Sequence, residues 1–506
     1  MKCSILLLLI FNLTLGIIKG QSLFVEKNEG IINPGEVVAS IDTILITAEE
    51  FFYNYEFGQG FTKRQKNSKA IHLDFMINEK LLSIEGYNSG VFNKPEIKNI
   101  YYDFTSDLAT EELFKDEILD KVEISDEEIN DIVDQKNIEL NIKWIYSSNE
   151  TEIKKISKSL NDKSIFDSLF NSQLNDSTFA DQRQMQTSLF NLNKKNPALA
   201  SLISKMKIGE IALPINIADG WYIIKYENRT KNLFTTESEL NRLKKEASEA
   251  LTKFKMDKFS DKYVNQVLFE SNSTIKRDGF NILRSYLGKF LLPKEKYKEW
   301  ELDEKLETAL NNLGISKNDE YPGIVLIESD SKNNMIDEFL FWYKNRELYI
   351  KFRKDNLKEF SLSLENIIWQ MKRDKLLTGI AKEKKYFDNN WVKQQSKWWR
   401  DKIVYSALRN EYANSIKINN NETARYKDDE ETLSEKMSGE LSKTILHKVM
   451  ELKKKYEIKI NKDVLDKIMV SAEEDKRAID FYSIKKGGLI PRPAFPTIDP
   501  DWIGWL

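Results

Sequence analysis

Residues 207–229 read KIGEIALPINIADGWYIIKYENR, and this stretch decides the fold that the sequence predicts. Lys207-Ile-Gly-Glu210 is typical of a turn, and ALPINI, marked by Pro214, is typical of a short strand. Gly220 permits a second turn, and the WYIIKYENR that follows alternates like a longer strand. The stretch therefore predicts two neighbouring strands that form one wall of a small ligand groove.

The residues upstream of this stretch complete a small α+β domain. IELNIKWIYSS, from residue 138, alternates as a strand, and TEIKKISKSLND and KSIFDSLFNSQ are typical of two helices. Asn196-Pro197 begins a third, short helix, PALASLISKM. The order of one strand, three helices and two strands predicts a compact domain over residues 138–230.

Helical patterns surround this domain on both sides. A strand pair from Val37 to Ile46 leads into a helix capped by Thr47-Ala-Glu-Glu50, and Ser125-x-x-Glu128 caps another helix. We therefore predict an α+β protein, a mainly helical body with one inserted α+β domain. The predicted divisions are a signal peptide (1–20), an N-terminal helical domain (21–137), the α+β domain (138–230), a helical connection (231–315), a C-terminal helical domain (316–480) and a Pro- and Trp-rich tail (481–506).

A weak internal repeat links the N-terminal and C-terminal helical domains. MINEKLLSIEGYNSGVFN (76–93) aligns without gaps with MKRDKLLTGIAKEKKYFD (371–388), and an acidic pair precedes both Phe51 and Phe339. One interpretation is that the C-terminal domain is a degenerate copy of the N-terminal one. The other is that two amphipathic helices resemble each other by chance, and both interpretations stay open.

The N-terminus predicts export. Lys2 precedes an apolar run from Ile5 to Ile18, and a small residue, Gly20, ends the segment, which is the arrangement of a cleaved secretory signal peptide. A retained membrane anchor is the less favoured alternative, because Asn12 interrupts a run that is short for a spanning helix. No other apolar stretch approaches membrane length, so we expect no stable membrane span.

The composition argues against several kinds of chemistry. A net charge of −3 over 506 residues gives no reason to expect nucleic acid as a partner. Cys3 is the only cysteine and lies in the predicted signal peptide, so the mature chain can form no disulfide, which fits a bacterial envelope protein. Because His72 and His447 are the only histidines, we expect no metal site, no histidine triad and no cofactor.

The order and spacing of these motifs resemble the SurA/PrsA-like periplasmic chaperones, whose inserted domain is a parvulin-type (PpiC/rotamase) peptidyl-prolyl isomerase. The most specific parts are VVASIDTILITAEEF, VEISDEEI and the closing stretch 207–229, and the resemblance covers roughly residues 37–270. The C-terminal part is similar, less specifically, to long isomerase-like envelope proteins of some Gram-negative bacteria, particularly in the tail RPAFPTID..W. The resemblance implies a periplasmic location and a role in protein folding.

The resemblance also implies which positions carry the family's catalytic histidines, and here this sequence departs from the pattern. By alignment the two histidine positions hold Trp144 and Tyr222. The family's Gly-Gly-x-Leu-Gly segment is missing, and ADQRQMQTSLFNL stands in its place. A further polar position corresponds to Asp176 or Asp181, without a fixed register. Enzymatic activity as a parvulin-type isomerase is therefore uncertain.

The apolar part of the family's proline pocket has candidates in this sequence. They are Met185, Phe190, Leu199, Met206 and Ile215, which we predict to line a substrate-binding site. For any single one of them, ordinary core packing is the alternative interpretation.

Three functions follow from the resemblance. The first is an exported folding factor that binds unfolded or nascent envelope proteins and X-Pro peptides, with isomerase activity weak or lost. The second is an active parvulin-type isomerase, and the third is a non-enzymatic docking subunit of an envelope assembly or secretion system. For the architecture, we predict that Phe495, Trp502 and Trp505 hold an extended tail against one helical body.

Overall fold

The structure, a computed structural model, describes residues 20–60, 63, 67–160, 163–174, 183–217, 220–231, 236–316, 321, 323–330, 332–347, 349–416, 430–470 and 492–505. The predicted signal peptide up to residue 19, and both Asp176 and Asp181, lie outside these ranges. The chain divides into a larger compact unit, Met1–Lys121 with Lys258–Leu506, and a smaller one, Val122–Asp257. Within the described ranges no helix combines the length and the apolar character needed to cross a membrane.

The larger unit begins with a strand pair and a set of helices. These elements are α1 (Gly20–Asn28), β1 (Val37–Ile41), β2 (Ile44–Thr47), α2 (Ala48–Glu56), α3 (Ser68–Asn88) and α4 (Pro95–Glu117). The side chain of Thr47 accepts a hydrogen bond from the amide of Glu50 at 3.2 Å, so the predicted start of α2 is confirmed.

The smaller unit interrupts the larger one in sequence. Its elements are α5 (Asp126–Asn137), β3 (Ile138–Ser147), α6 (Glu150–Ser159), α7 (Lys163–Leu174), β4 (Gln184–Ser188), α8 (Leu189–Lys195), α9 (Pro197–Lys205), β5 (Ile215–Ile217), β6 (Gly220–Lys231) and the first part of α10 (Glu237–Glu270). The capping box that starts α5 is complete. The Ser125 hydroxyl accepts a hydrogen bond from the Glu128 amide, and the Glu128 carboxylate accepts one from the Ser125 amide.

The remainder of the larger unit is again mostly helical. After the end of α10 its elements are β7 (Thr274–Ile275), α11 (Arg277–Leu291), α12 (Lys294–Glu299), α13 (Leu302–Leu313), β8 (Val325–Glu328), β9 (Asn334–Met335), α14 (Ile336–Lys344), α15 (Leu357–Glu383), α16 (Asn390–Ser415), α17 (Glu430–Lys455), β10 (Ile458–Ile460), α18 (Lys462–Lys467) and α19 (Asp501–Gly504). The sheets are small and antiparallel, so the predicted α+β class with a mainly helical body is confirmed.

Residues from both ends of the chain build the main core of the larger unit. β10 pairs antiparallel with β1, and residues of α2 and α3 share one buried cluster with residues of α16 and α17. Phe495 and Trp502 are buried in the same cluster, and Trp505 packs against it, which confirms that these three aromatic residues hold the tail. We predicted a tail that is extended throughout, but its last residues form the short helix α19. The Asp499 carboxylate accepts a hydrogen bond from the Asp501 amide at 3.1 Å where this helix begins.

The larger unit contains the same succession of elements twice, in residues 37–117 (the first copy) and 325–415 (the second copy). Each copy has an antiparallel strand pair, a nine-residue helix, a long helix, a single 3-10 turn and another long helix. The 3-10 turns, Val91–Asn93 and Tyr386–Asp388, each follow a residue in the left-handed region, Gly90 (φ +78°) and Lys385 (φ +63°). Agreement at this level favours a repeat over a chance similarity of two helices.

An ion pair recurs at the same place in both copies. Lys80 on α3 contacts Glu50 on α2 at 2.6 Å, and in the second copy Lys375 contacts Glu338 at 2.5 Å. The two pairs differ in burial: the Lys80 side chain is 8% exposed, whereas that of Lys375 is 36% exposed. Lys80 also contacts Asp401 on α16 at 2.6 Å. Burial alone would lower the pKa of Lys80, but the two carboxylates raise it above its usual range.

Replacing Lys80 with methionine should therefore be strongly destabilising. The substitution removes the ammonium group that contacts both largely buried carboxylates, Glu50 and Asp401, which we expect to lower the free energy of unfolding by about 3–5 kcal/mol. The matched control is Lys375→Met, whose more exposed ion pair should contribute no more than about 1 kcal/mol. Urea denaturation followed by circular dichroism measures both, and equal losses in the two variants would contradict the prediction.

Candidate functional site

The smaller unit contains a four-stranded antiparallel sheet with the strand order β4-β3-β6-β5. Successive residues of a strand point to opposite faces, so each face of β3 and β6 carries its own set of side chains. On one face Ile145 and Ile223 pack with Phe166 and Phe170 of α7. We call the other face, which packs with α8 and α9, the candidate face.

The candidate face brings together six of the seven residues that the sequence predicts for the site. They are Trp144, Met185, Leu199, Met206, Ile215 and Tyr222, which belong to one hydrophobic cluster. Leu199 is buried, but the other five are only half-buried, so apolar atoms of the cluster reach the surface. A half-buried apolar cluster of this kind is able to take up an apolar ligand group such as a proline ring.

The residues at the two family histidine positions lie on the same face but are not directly opposite each other. Trp144 on β3 pairs with Ile224, and Tyr222 on β6 pairs with Tyr146. Ile215 on β5 lies on the other side of Tyr222 and pairs with it. The two aromatic side chains are therefore diagonal neighbours on the sheet, a separation that large side chains span.

Phe190 is not a member of this cluster, and its place in the pocket stays a prediction. Leu189 and Leu192, three residues apart on α8, are the residues that pack against the sheet. Phe190 directly follows Leu189, and adjacent residues of a helix do not face the same side, so Phe190 does not share the side of α8 that packs on the sheet. Its ring instead lies under the ammonium group of Lys136, 5.4 Å from the ring centroid.

The sequence interpretation also missed a strand. We predicted no strand between the helices KSIFDSLFNSQ and PALASLISKM, whereas β4 (Gln184–Ser188) lies there, pairs with β3 and places Met185 opposite Ile142. Four of its five residues are polar, which hides the alternation that normally reveals a strand. Pairing with β3 on one side only makes β4 an edge strand, where polar residues are tolerated.

Tyr146 is a residue of the site that the sequence reasoning overlooked. Its ring lies 5.2 Å from that of Tyr222, and the two planes are tilted by 57°. The signal was present in the alternation of β3, because Trp144 and Tyr146 are two residues apart and must share a face. Trp144, Tyr146 and Tyr222 thus place three aromatic side chains on this face of β3 and β6.

The charged groups near the sheet belong mainly to the opposite face. Lys225 contacts Asp167 at 2.7 Å and Glu227 at 2.6 Å. Burial alone would lower the pKa of Lys225, but hydrogen bonds to the two carboxylates raise it. On the candidate face, burial raises the pKa of Tyr226, so this phenol is neutral at ordinary pH. Among the residues that the structure describes, the clustered side chains of the candidate face are apolar and aromatic.

Comparison with known proteins gives the following result. No protein-family model and no curated protein matches the sequence. Among solved structures, the peptidylprolyl isomerase PrsA of Bacillus anthracis matches with 16% identity and a TM-score of 0.21, over 49% of this chain and 99% of its own. A SurA-like chaperone of Campylobacter jejuni matches with 17% identity and a TM-score of 0.23, over 47% of this chain and 100% of its own. The foldase protein PrsA of Streptococcus pneumoniae matches with 13% identity and a TM-score of 0.20, over 56% of this chain and 96% of its own.

Structure comparison thus returns the family that the sequence motifs resemble.

Gly220, the first residue of β6, is required by the packing of the candidate face. A Cβ atom at this position would lie 2.5 Å from the ring of Tyr146. We expect Gly220→Ala to displace Tyr146 from Tyr222 and to lower the stability of the smaller unit by about 1–3 kcal/mol. Hydrogen exchange of the amides in β3 and β6 measures this loss. Gly323→Ala is the control, since an added Cβ there meets nothing within 4 Å, and equal exchange in both variants would contradict the expectation.

Proposed function

We propose that this protein is an exported, periplasmic folding factor that binds unfolded or proline-containing segments of envelope proteins. The candidate face and the helical body are its binding surfaces, and its isomerase activity is weak or lost. One observation supports the proposal: six residues predicted for the site lie in one hydrophobic cluster, and five of them are half-buried. The alignment assigns Trp144 and Tyr222 among them to the histidine positions of the family.

The described functions of the structural neighbours agree with this proposal. The Bacillus anthracis protein is described as a peptidylprolyl isomerase and the Streptococcus pneumoniae protein as a foldase. The Campylobacter jejuni proteins are described as SurA-like chaperones, one of them periplasmic.

The chemistry of the candidate face explains why binding and catalysis are separable here. Rotation about an X-Pro bond has a barrier of about 18–20 kcal/mol, and only interactions that are stronger in the twisted amide lower it. Apolar contacts with a proline ring are nearly the same in the planar and twisted forms, so they contribute affinity without rate. The side chains at the histidine positions, an indole and a phenol, change the polar groups that the twisted amide would meet.

The binding role is tested by placing charge on the candidate face. We expect Met206→Asp combined with Ile215→Asp to weaken binding of a fluorescent Ala-Phe-Pro-Phe peptide to the full chain by about tenfold, because a carboxylate next to a bound apolar ring must be desolvated. The control is Ile165→Asp on α7, a helix of the opposite face, at a residue that is 36% exposed. Fluorescence anisotropy measures both, and equal affinities of the two variants would refute the role of this face.

The isomerase role is tested on the same full chain with a proline tetrapeptide. We expect no acceleration above the spontaneous rate, because the candidate face offers mainly apolar and aromatic groups. Trp144→His combined with Tyr222→His tests whether these positions are the catalytic ones, and a gain in rate would support the alignment. Fast isomerisation by the unmodified chain would instead favour the active enzyme.

A further inference from the structure

The tail residues Arg492–Trp505 lie in a groove on the larger unit, which we call the tail groove. Arg492 forms its first contact: its Nε donates to Asp107 at 2.8 Å and its Nη2 to Glu111 at 2.6 Å. The Arg492 side chain is 2% exposed and that of Asp107 is fully buried. The groove therefore recognises a cation at its first position through two carboxylates of α4.

Three residues further along the tail, an aromatic side chain enters an aromatic pocket. The ring of Phe495 stacks on Tyr53 with centroids 4.3 Å apart and meets the edge of Phe57 at 4.5 Å. Trp391 of α16 forms another wall, 6.0 Å from the Phe495 ring. Aromatic contacts of this kind provide much of the affinity where proteins bind peptides.

The next residues of the tail make polar contacts through their side chains, with the Asp499 carboxylate accepting a hydrogen bond from Tyr405 and forming an ion pair with Arg409, and also through their main chain. Asn54 Nδ2 donates to the carbonyl of Pro496 at 2.9 Å, and Asn54 Oδ1 accepts the amide of Ile498 at 3.3 Å. Glu79 accepts the amide of Asp499 at 2.6 Å. Contacts with main-chain atoms do not depend on the identity of the side chains, which is how peptide-binding proteins hold extended segments of varied sequence.

The second copy shows what the tail replaces in the first. The repeat aligns Glu79 with Asp374 and, counting from Phe51 and Phe339, Asn54 with Trp342. In the second copy the indole of Trp342 donates to Asp374 at 3.0 Å. In the first copy the indole of Trp502, from the tail, donates to Glu79 at 3.1 Å. Asn54 is smaller than its counterpart Trp342, so the first copy has space at the position where the second copy has the Trp342 indole.

The tail does not fill this space completely. A cavity of about 30 Å³ remains beside Phe495 and Pro496, and its lining includes the charged groups of Glu50, Glu79 and Asp401. This volume has room for about two water molecules. A segment that served only as core would be expected to pack at the density of a protein interior.

We propose that the tail groove is a binding site for extended polypeptide segments with a basic residue, a Phe-Pro pair and a following Trp, and that residues 492–505 are its tethered occupant. Unfolded polypeptides with this chemistry compete with the tail. The site lies in the larger unit, so it does not depend on the proposed role of the candidate face.

The direct test compares the full chain with a chain that ends at residue 491. The probe is a fluorescent peptide of the last fifteen residues, RPAFPTIDPDWIGWL. We expect saturable binding of one peptide per shortened chain and binding at least tenfold weaker to the full chain, because a tethered segment has an effective concentration in the millimolar range. Equal binding to both chains, or no binding to a folded shortened chain, would overturn the proposal.

If the shortened chain does not fold, a second variant of the full chain provides the same test. A protease site inserted between residues 470 and 492 of the full chain is cleaved after folding, which leaves the tail bound without its tether. We expect the fluorescent peptide to replace the cleaved tail while the circular dichroism of the larger unit stays unchanged. Replacement no faster than global unfolding would show that the tail is core and nothing else.

Two controls define what the groove accepts. A peptide with Phe495→Ala should bind at least tenfold more weakly, since it loses the stack on Tyr53. Reduced and alkylated lactalbumin serves as an unfolded polypeptide unrelated to the tail. We expect it to displace the fluorescent peptide at least tenfold more weakly than the unlabelled tail peptide does, and equal displacement by the two would refute the requirement for a basic residue, a Phe-Pro pair and a Trp.

Discussion

Lys80 forms the buried electrostatic contact on which the larger unit depends. Its ammonium group lies between the carboxylates of Glu50 and Asp401, and so joins α2, α3 and α16 across more than three hundred residues of sequence. A buried charge is tolerated only when its partners are in place. This contact therefore requires that the N-terminal and C-terminal parts of the chain fold together. The pairing of β1 with β10 joins the same two parts of the chain.

The two copies in the larger unit show how one arrangement acquires different roles. Both keep the ion pair between a short helix and a long one, and both place an indole against a buried carboxylate. The second copy supplies its indole from its own short helix and is complete. The first copy receives its indole from Trp502 at the end of the chain, so an additional segment becomes part of its structure.

The smaller unit shows how alternation along two strands gathers a set of side chains on one face of a sheet. Half-buried Met206 and Ile215 lie in the same hydrophobic cluster as Trp144 and Tyr222. The two aromatic side chains contribute to the packing of that face.

The sequence alone determined the fold class, the cap residues Thr47 and Ser125, and six residues of the candidate face, because capping and alternation are local properties of the chain. It missed β4, whose polar residues form a strand only because β3 offers hydrogen-bonding partners. It did not indicate the contact of Phe190 with Lys136, which depends on which side of α8 packs on the sheet. The tail groove depends on contacts between Asn54, Glu79 and residues more than four hundred positions away. No local pattern encodes such contacts, so only the tertiary structure decided them.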